Sequence, residues 1–558
     1  MYAMLNGIFG ATPSEPIDLD YAAVSDVGVG FTDQINRVRA NGWIPLIAIS
    51  IHGAVASWLP VWFHGEPSDN NGEAWTRYNS DGTKPGGLAD GNQLQEMSDL
   101  CQQIATGLAA RGITGLLWEP IFEIGHDMPM PAIHYNVASG IRQADASAKF
   151  MGSDTWPNWT IAERFIKPYL LTYGADLLDY VSFHWYANLG LFSGVITMAD
   201  TAELSQLMDI APNYGPWCKD IKAILDDPVY NPTGKPIGVA LTEYDATGSS
   251  AYSAKPGNVD WPAYRADADD YINTGYFGGV WNAAVLCSMA ESDSLTMAFK
   301  FNTIDFYGLL AVANSGGDFY RTPLWYAWKL LQTKANLVEG SPMFQTQIQP
   351  LNTKLDVFAV GDPDHPRIIL INRAFDARSI ELTLGGLGST VKNPLANVYI
   401  FNEERSAQFI GPAAVGSPLR GEFSDAPAIS PRDIALERVD EFWLAANGVD
   451  YRLQVECGPI SITVLDVVSG PPAAIIDGAI TNGMARLVID ASAPAYGYYP
   501  KTTTNLVGGT WGSVAHSDDG VNPSYITNLS YSTTEGTNQV IYVEASGPQG
   551  FFSIGGAE

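Results

Sequence analysis

The sequence predicts an α/β barrel of the (β/α)8 type, N-terminally incomplete, followed by an antiparallel β-sandwich and a small C-terminal β-rich module. Three observations carry that prediction. Up to about residue 335, short apolar runs alternate with stretches of helical periodicity, and alternating β and α units of this length build a parallel sheet. From about residue 340 the texture changes to period-two runs separated by Gly, Pro, Asn and Asp, the pattern of antiparallel strands. Ser469-Gly-Pro-Pro472 then introduces a last stretch rich in Gly, Ser, Thr and Asn. A chain of 558 residues exceeds one ordinary domain. The boundaries read as 1–335 for the barrel, 336–468 for the sandwich and 469–558 for the linker and module.

In order, residues 32–42 place Ile35 and Val38 at helical spacing and stop at Gly42. A strand follows at Ile44-Pro-Leu-Ile-Ala-Ile-Ser50, closing on His52, and then a Gly/Pro/Asp/Asn-rich loop from about 64 to 92. Leu94, Met97, Leu100, Ile104 and Leu108 recur every three or four residues and mark a helix ending at Gly112. The central stretch is Gly115-Leu-Leu-Trp-Glu-Pro-Ile-Phe-Glu-Ile-Gly-His-Asp127. Next come a helix near 135–144, a strand at 149–153, a helix near 161–173, the strand Tyr180-Val-Ser-Phe-His-Trp-Tyr186 and a helix near 202–226. The strand Ile237-Gly-Val-Ala-Leu-Thr-Glu-Tyr-Asp245, a helix near 261–274, a strand at Gly278-Gly-Val-Trp281 and a helix at 323–331 complete the series. The six strands from Ile44 onward are expected to be the third to the eighth of a barrel. Residues 1–30 offer too little for the first two, so the expectation is a truncated N-terminus, with irregular first two strands as the alternative.

Acidic residues outnumber basic ones 60 to 30, a formal net charge of -30. Nucleic acid and anionic membrane surfaces are therefore excluded as partners. Charged residues make up only 16% of the chain, below the roughly 25% of an average domain, while it holds 15 Trp and 26 Tyr. Such a surface suits neutral sugars, whose apolar ring faces stack on aromatic side chains. Cys101, Cys218, Cys287 and Cys457 are widely spaced, with no CxxC pattern, so no metal site is expected. No run of 18 or more apolar residues suggests a membrane span, and no secretion signal is legible. The low charge and high aromatic content still favour an extracellular or periplasmic location.

The chemistry is expected at strand ends, because α/β barrels collect their reactive groups where strands emerge at their C-terminal ends. Two apolar runs there end in carboxylates, around Glu123–Asp127 and at Glu243. Two such carboxylates facing one cleft are what glycosidic hydrolysis requires, one protonating the leaving oxygen and the other attacking the sugar or activating water. Alternation along a strand puts Glu119, Glu123 and Asp127 on one face. Polar and aromatic groups gather at the other strand ends: His52, Trp156, His184, Tyr186 and Trp281.

Phe122-Glu-Ile-Gly-His-Asp-Met-Pro129 resembles the fourth-strand motif of clan A glycoside hydrolases, a Phe/Trp-Glu-Ile/Val-X-Asn-Glu-Pro pattern of their xylosidase and arabinofuranosidase families. Leu178–Tyr186 is similar to their sixth strand, Leu241-Thr-Glu-Tyr244 to the seventh, and Trp281 matches the eighth-strand aromatic. The resemblance covers residues 30–335 and implies a retaining glycosidase without a cofactor. It makes Glu243 the nucleophile and Asp127 the general acid/base, with Glu123 a second candidate acid. His126 stands where the family has an Asn that contacts the sugar. His52, Glu123, His126, Trp156, His184, Tyr186 and Trp281 become candidate substrate contacts. Two departures matter: Asp127 is one methylene shorter than the expected Glu, and His126 replaces the Asn. The expected substrate is a neutral polysaccharide or oligosaccharide. The alternatives are an exo-acting arabinofuranosidase or xylosidase and a non-catalytic carbohydrate-binding protein.

Overall fold

The structure, a computed structural model, describes residues 17–20, 30–50, 93–122, 130–155, 158–187, 200–247, 272–273, 275–300, 309–312, 319–344, 346, 354–388, 391, 394–407, 437–447 and 450–469, and strand segments between 475 and 556. The chain divides into two compact units. One comprises residues 1–194, 210–250 and 285–303, the other residues 195–209, 251–284 and 304–558.

The first unit holds a parallel sheet of six strands in sequential order: β1 (Leu46–Ser50), β2 (Leu117–Phe122), β3 (Lys149–Thr155), β4 (Tyr180–Tyr186), β5 (Gly238–Asp245) and β6 (Met297–Ala298). Every neighbouring pair is parallel. Strands added one after another on the same edge are the order of an α/β barrel rather than of a doubly wound sheet, whose order reverses at a switch point. One inward layer draws a side chain from each strand: Leu46, Leu117, Met151, Tyr180, Ala240 and Met297. The intervening residues on the other face, such as Ile47, Ile49, Val181 and Val239, are buried as well. Burial on both faces explains why these strands read as continuous apolar runs.

Helices connect the strands as the periodicity predicts. They include α1 (Phe31–Ala40), α2 (Gln93–Ala110), α3 (Met130–Ala144), α4 (Asn158–Ile161) and α5 (Lys167–Tyr173), the last two joined by a π-helical turn over Ala162–Ile166. The expected helix over 202–226 is two helices, α6 (Thr201–Ile210) and α7 (Tyr214–Asp226), with a 3-10 turn at Ala211–Asn213 between them. Pro212 has no N–H to donate, so the α-helical ladder is interrupted there. The expected strand at Gly278–Trp281 is instead part of a helix, α8 (Tyr276–Ser292). The short apolar run was misread because a helix buried on all sides has no polar stripe to betray its period. The sixth strand lies after that helix, at Met297–Ala298. The predicted helix near 261–274 lies outside the described residues but for 272–273, as does the loop over 64–92.

Packing of α3 onto β3 includes a buried histidine. His134 is fully buried, its Nε2–H donates to the Met151 carbonyl at 3.1 Å, and its ring stands edge-on to Phe165 and Tyr169 at 5.5 and 5.0 Å. Its Nδ1 has no acceptor, so a proton there would be a buried charge without a partner. Burial pulls its pKa down to about 3, against a smaller opposing effect of the Met151 carbonyl. The folded state therefore prefers the neutral ring, while an unfolded histidine takes up a proton near pH 6.5. Stability is complete above about pH 6.5 and falls as the pH drops towards 3. Between pH 7 and pH 5 this residue alone is expected to cost about 2 kcal/mol. Urea denaturation at the two pH values checks this, with His134→Gln showing a correspondingly smaller loss on acidification.

In the second unit a hairpin, β7 (Leu310–Val312) with β8 (Phe319–Arg321), precedes helix α9 (Pro323–Thr333). Beyond it lie β9 (Met343–Phe344), β10 (Leu355–Asp362), β11 (His365–Asn372), β12 (Arg378–Leu384), β13 (Pro394–Phe401), β14 (Asp440–Trp443), β15 (Ala445–Asn447), β16 (Asp450–Cys457) and β17 (Ser461–Ser469). They form antiparallel sheets of order β14-β13-β17-β11-β10-β9 and β12-β16-β15. Both sheets feed one apolar core, with Ile368, Leu370, Val398 and Leu465 from the first and Leu382, Leu453 and Val455 from the second. Residues 475–556 add two further antiparallel sheets, of five and three strands, including the expected strand at Asn538–Glu544. No helix among the described residues is long and apolar enough to cross a membrane.

Candidate active site

The site is built on the C-terminal ends of β4 and β5. Tyr180 fills the inward layer, so alternation places Ser182, His184 and Tyr186 on the same inner face. Pairing with β5 starts at Tyr180–Gly238 and runs in step to Phe183–Leu241, then jumps to His184–Glu243, leaving Thr242 as an extra residue. Such a bulge re-aims the strand that carries it. Here it brings Glu243 level with His184, and Asp245 level with Tyr186. The displaced Thr242 hydroxyl donates to the Phe183 carbonyl at 3.3 Å.

The result is a compact polar cluster. The Tyr186 hydroxyl donates to Glu243 Oε2 at 2.8 Å, and His184 Nδ1 lies 3.5 Å from the same oxygen. Glu243 is 3% exposed and His184 wholly buried, whereas Tyr186 is half-buried. A carboxylate so enclosed needs donors to replace its lost water, and Tyr186 supplies one. Around it the strand ends are tied together: the Tyr214 hydroxyl donates to the Trp185 carbonyl at 3.2 Å, and Ala187 N–H to the Asp245 carbonyl at 3.1 Å. Burial, and next the charge of Asp245, push the Tyr214 phenol well above its usual range; the same two causes raise that of Tyr244. Both stay neutral hydroxyls. On β2, Glu119 is buried on the inner face, in register with Ala48 of β1.

Of the residues expected from the sequence, Glu243, His184 and Tyr186 are thus brought together. Trp281 is not on a strand but on α8, fully buried, with its indole Nε1–H donating to the Leu207 carbonyl at 3.0 Å. It serves packing in the second unit. His52, Glu123, His126, Asp127 and Trp156 lie outside the described residues. One pair escaped the sequence reading: Lys300, just after β6, forms an ion pair with Asp245, and the two side chains are 4% and 0% exposed. The available signal was a lone lysine inside Met297-Ala-Phe-Lys-Phe301, in a chain sparing of charge. Among the described residues no group of three or more His, Cys, Asp or Glu could hold a metal ion.

No protein-family model and no curated protein matches the chain. Solved structures do. One is CelM2, a bifunctional glucanase-xylanase from a metagenome library, at 14% identity over 80% of this chain and 86% of that one, with a TM-score of 0.44. Another is a monomeric β-xylosidase from Caulobacter crescentus, at 12% identity, 80% and 86% coverage and a TM-score of 0.46. A third is a Paenibacillus polymyxa xyloglucanase of glycoside hydrolase family 44, at 13% identity, 79% and 84% coverage and a TM-score of 0.45.

Proposed function

We propose that the protein is a retaining glycoside hydrolase acting on a neutral polysaccharide or oligosaccharide, and that Glu243 is its nucleophile. The observation that carries this reading is the Tyr186–Glu243 hydrogen bond at the C-terminal end of adjacent parallel strands, with His184 beside it. The hydroxyl holds one carboxylate oxygen and thereby orients the other for attack. In this reading the six parallel strands belong to a (β/α)8 barrel over residues 1–335. Residues 336–468 form a β-sandwich, residues 469–558 a linker and β-rich module, and the protein acts outside the cytoplasm.

The steps follow from two carboxyl groups. Asp127 protonates the departing glycosidic oxygen while a Glu243 oxygen forms a bond to the anomeric carbon, giving a glycosyl ester. Asp127, now ionised, removes a proton from water, which displaces Glu243 and restores the starting state. Tyr186 contacts the sugar nearest the cleaved bond while the buried His184 backs Glu243, and His52, Glu123, His126 and Trp156 supply the further sugar contacts. The test is a panel of neutral glucans, xylans, xyloglucan and arabinan, with the anomer of the first product followed by proton NMR. Release of reducing sugar with retained configuration is expected. Inverted configuration would refute double displacement, and binding without release would make the protein a carbohydrate-binding module.

A further inference from the structure

Asp245 sits two residues beyond Glu243 on β5, past the bulge, where pairing with β4 is regular. The two acids therefore project from the same face, about 7 Å apart along the strand. Two carboxylates so close, both buried, would each make the other harder to ionise. Lys300 answers one of them: its ammonium meets Asp245 Oδ2, and its side chain is almost wholly withdrawn from water. Asp245 Oδ1 also accepts from Ala246 N–H at 2.9 Å. Tyr186 and His184 flank Glu243 from β4, the phenols of Tyr214 and Tyr244 feel the charge of Asp245, and Glu119 is buried on the inner face of β2.

We propose that Asp245 and Lys300 are a positioning pair for the reaction, which fixes the end of β5 and cancels the negative charge of Asp245 beside Glu243, so that Glu243 stays ionised as a nucleophile must. The proposal rests on the reading of Glu243 as nucleophile. Asp245 ties the strand end to the segment after β6, and the Asp245 carbonyl ties it to β4 through Ala187. Lys300 cancels the charge that this clamp would otherwise place next to the reacting carboxylate. Neither side chain is asked to touch substrate.

The pair predicts a shift and its reversal that a merely structural role would not give. In Asp245→Asn the amide oxygen still accepts from Lys300 but the buried ammonium is no longer balanced, so the variant loses stability and is read at a temperature where its unfolding curve shows it folded. Glu243 then stays ionised to lower pH, and the acidic limb of kcat/KM moves down by about 1.5 to 2 pH units, from a unit charge at about 7 Å and an effective dielectric constant of about 20. Removing both charges in Asp245→Asn/Lys300→Met returns the limb to the wild-type position. The same midpoint is read without turnover by 13C NMR of protein labelled at the glutamate carboxyl carbon, the Glu243 signal being assigned by its loss in Glu243→Gln. A limb and an NMR midpoint that stay put in Asp245→Asn, or a double variant that follows the single one, overturn the proposal. Full activity in Glu243→Gln would instead overturn the reading on which it rests.

Discussion

Glu243→Gln is expected to lower kcat by about 10^4-fold to 10^6-fold, the range seen when an enzyme loses one member of its catalytic group, with the thermal midpoint little changed. The size follows from the step lost. An amide oxygen does not form the glycosyl ester, so what remains is positioning and general acid catalysis without the covalent route. The fold survives because the substitution keeps shape and an acceptor: Tyr186, at 2.8 Å from Oε2, can donate to an amide oxygen in the same place. Glu243→Ala removes the carboxyl altogether and opens a space in an otherwise buried position. Azide in that space should attack the anomeric carbon and give a glycosyl azide of inverted configuration, restoring part of the rate on activated aryl glycosides. Turnover retained in Glu243→Gln would remove Glu243 from the mechanism. A loss of activity matched by a loss of the cooperative unfolding transition would show that the residue supports the fold instead.

Much of the fold was legible because its signals are local. The helix over 93–111 repeats its apolar positions every three or four residues, and Ile104 and Leu108 are indeed buried. The strands at 355–360, 367–372 and 380–384 announce themselves by alternation and by the turns between them, and all three are found antiparallel. The misreading at Gly278–Trp281 has a physical origin. Tyr276–Ser292 is apolar on every side, and Trp281, Ala283, Ala284 and Val285 are all buried. Four of its residues taken alone fit a buried strand as well as a buried helix, and only the length of the whole run decides.

The candidate site divides in the same way. Tyr186 and Glu243 each end an apolar run, so their place at a strand terminus could be read from sequence. Their mutual contact depends on register, and register here depends on the bulge at Thr242, which shifts Glu243 by one residue relative to β4. Without that shift alternation would turn Glu243 away from His184. No composition or spacing rule reports a bulge of this kind. Lys300 was illegible for a different reason. It lies 55 residues from Asp245, and a single lysine after a two-residue strand reads as a solvated side chain until the pairing of β5 with β6 brings it inward.

Lys300→Met should be the most damaging substitution for stability, at about 3–5 kcal/mol near neutral pH. The favourable part of the native pair is not what sets this figure, since a buried ion pair roughly offsets its own desolvation. The cost comes from what is left behind: Asp245, wholly buried, would keep a charge that Lys300 no longer balances, with Ala246 N–H among its donors. Two consequences separate this from simple loss of packing. Protonating Asp245 relieves the stranded charge. Its carboxyl in the variant therefore titrates above the unfolded value of about 3.9, and the destabilisation is largest at neutral pH and shrinks as the pH falls through that raised value. Adding Asp245→Asn removes the charge outright and should recover most of the loss, because replacing both partners of a buried pair is far cheaper than replacing one. Guanidinium denaturation of wild type, both single variants and the double variant at pH 7 and pH 5 gives the coupling energy directly. A loss for Lys300→Met that is independent of pH, or that the second substitution leaves in place, would show that the lysine contributes through its aliphatic stem alone.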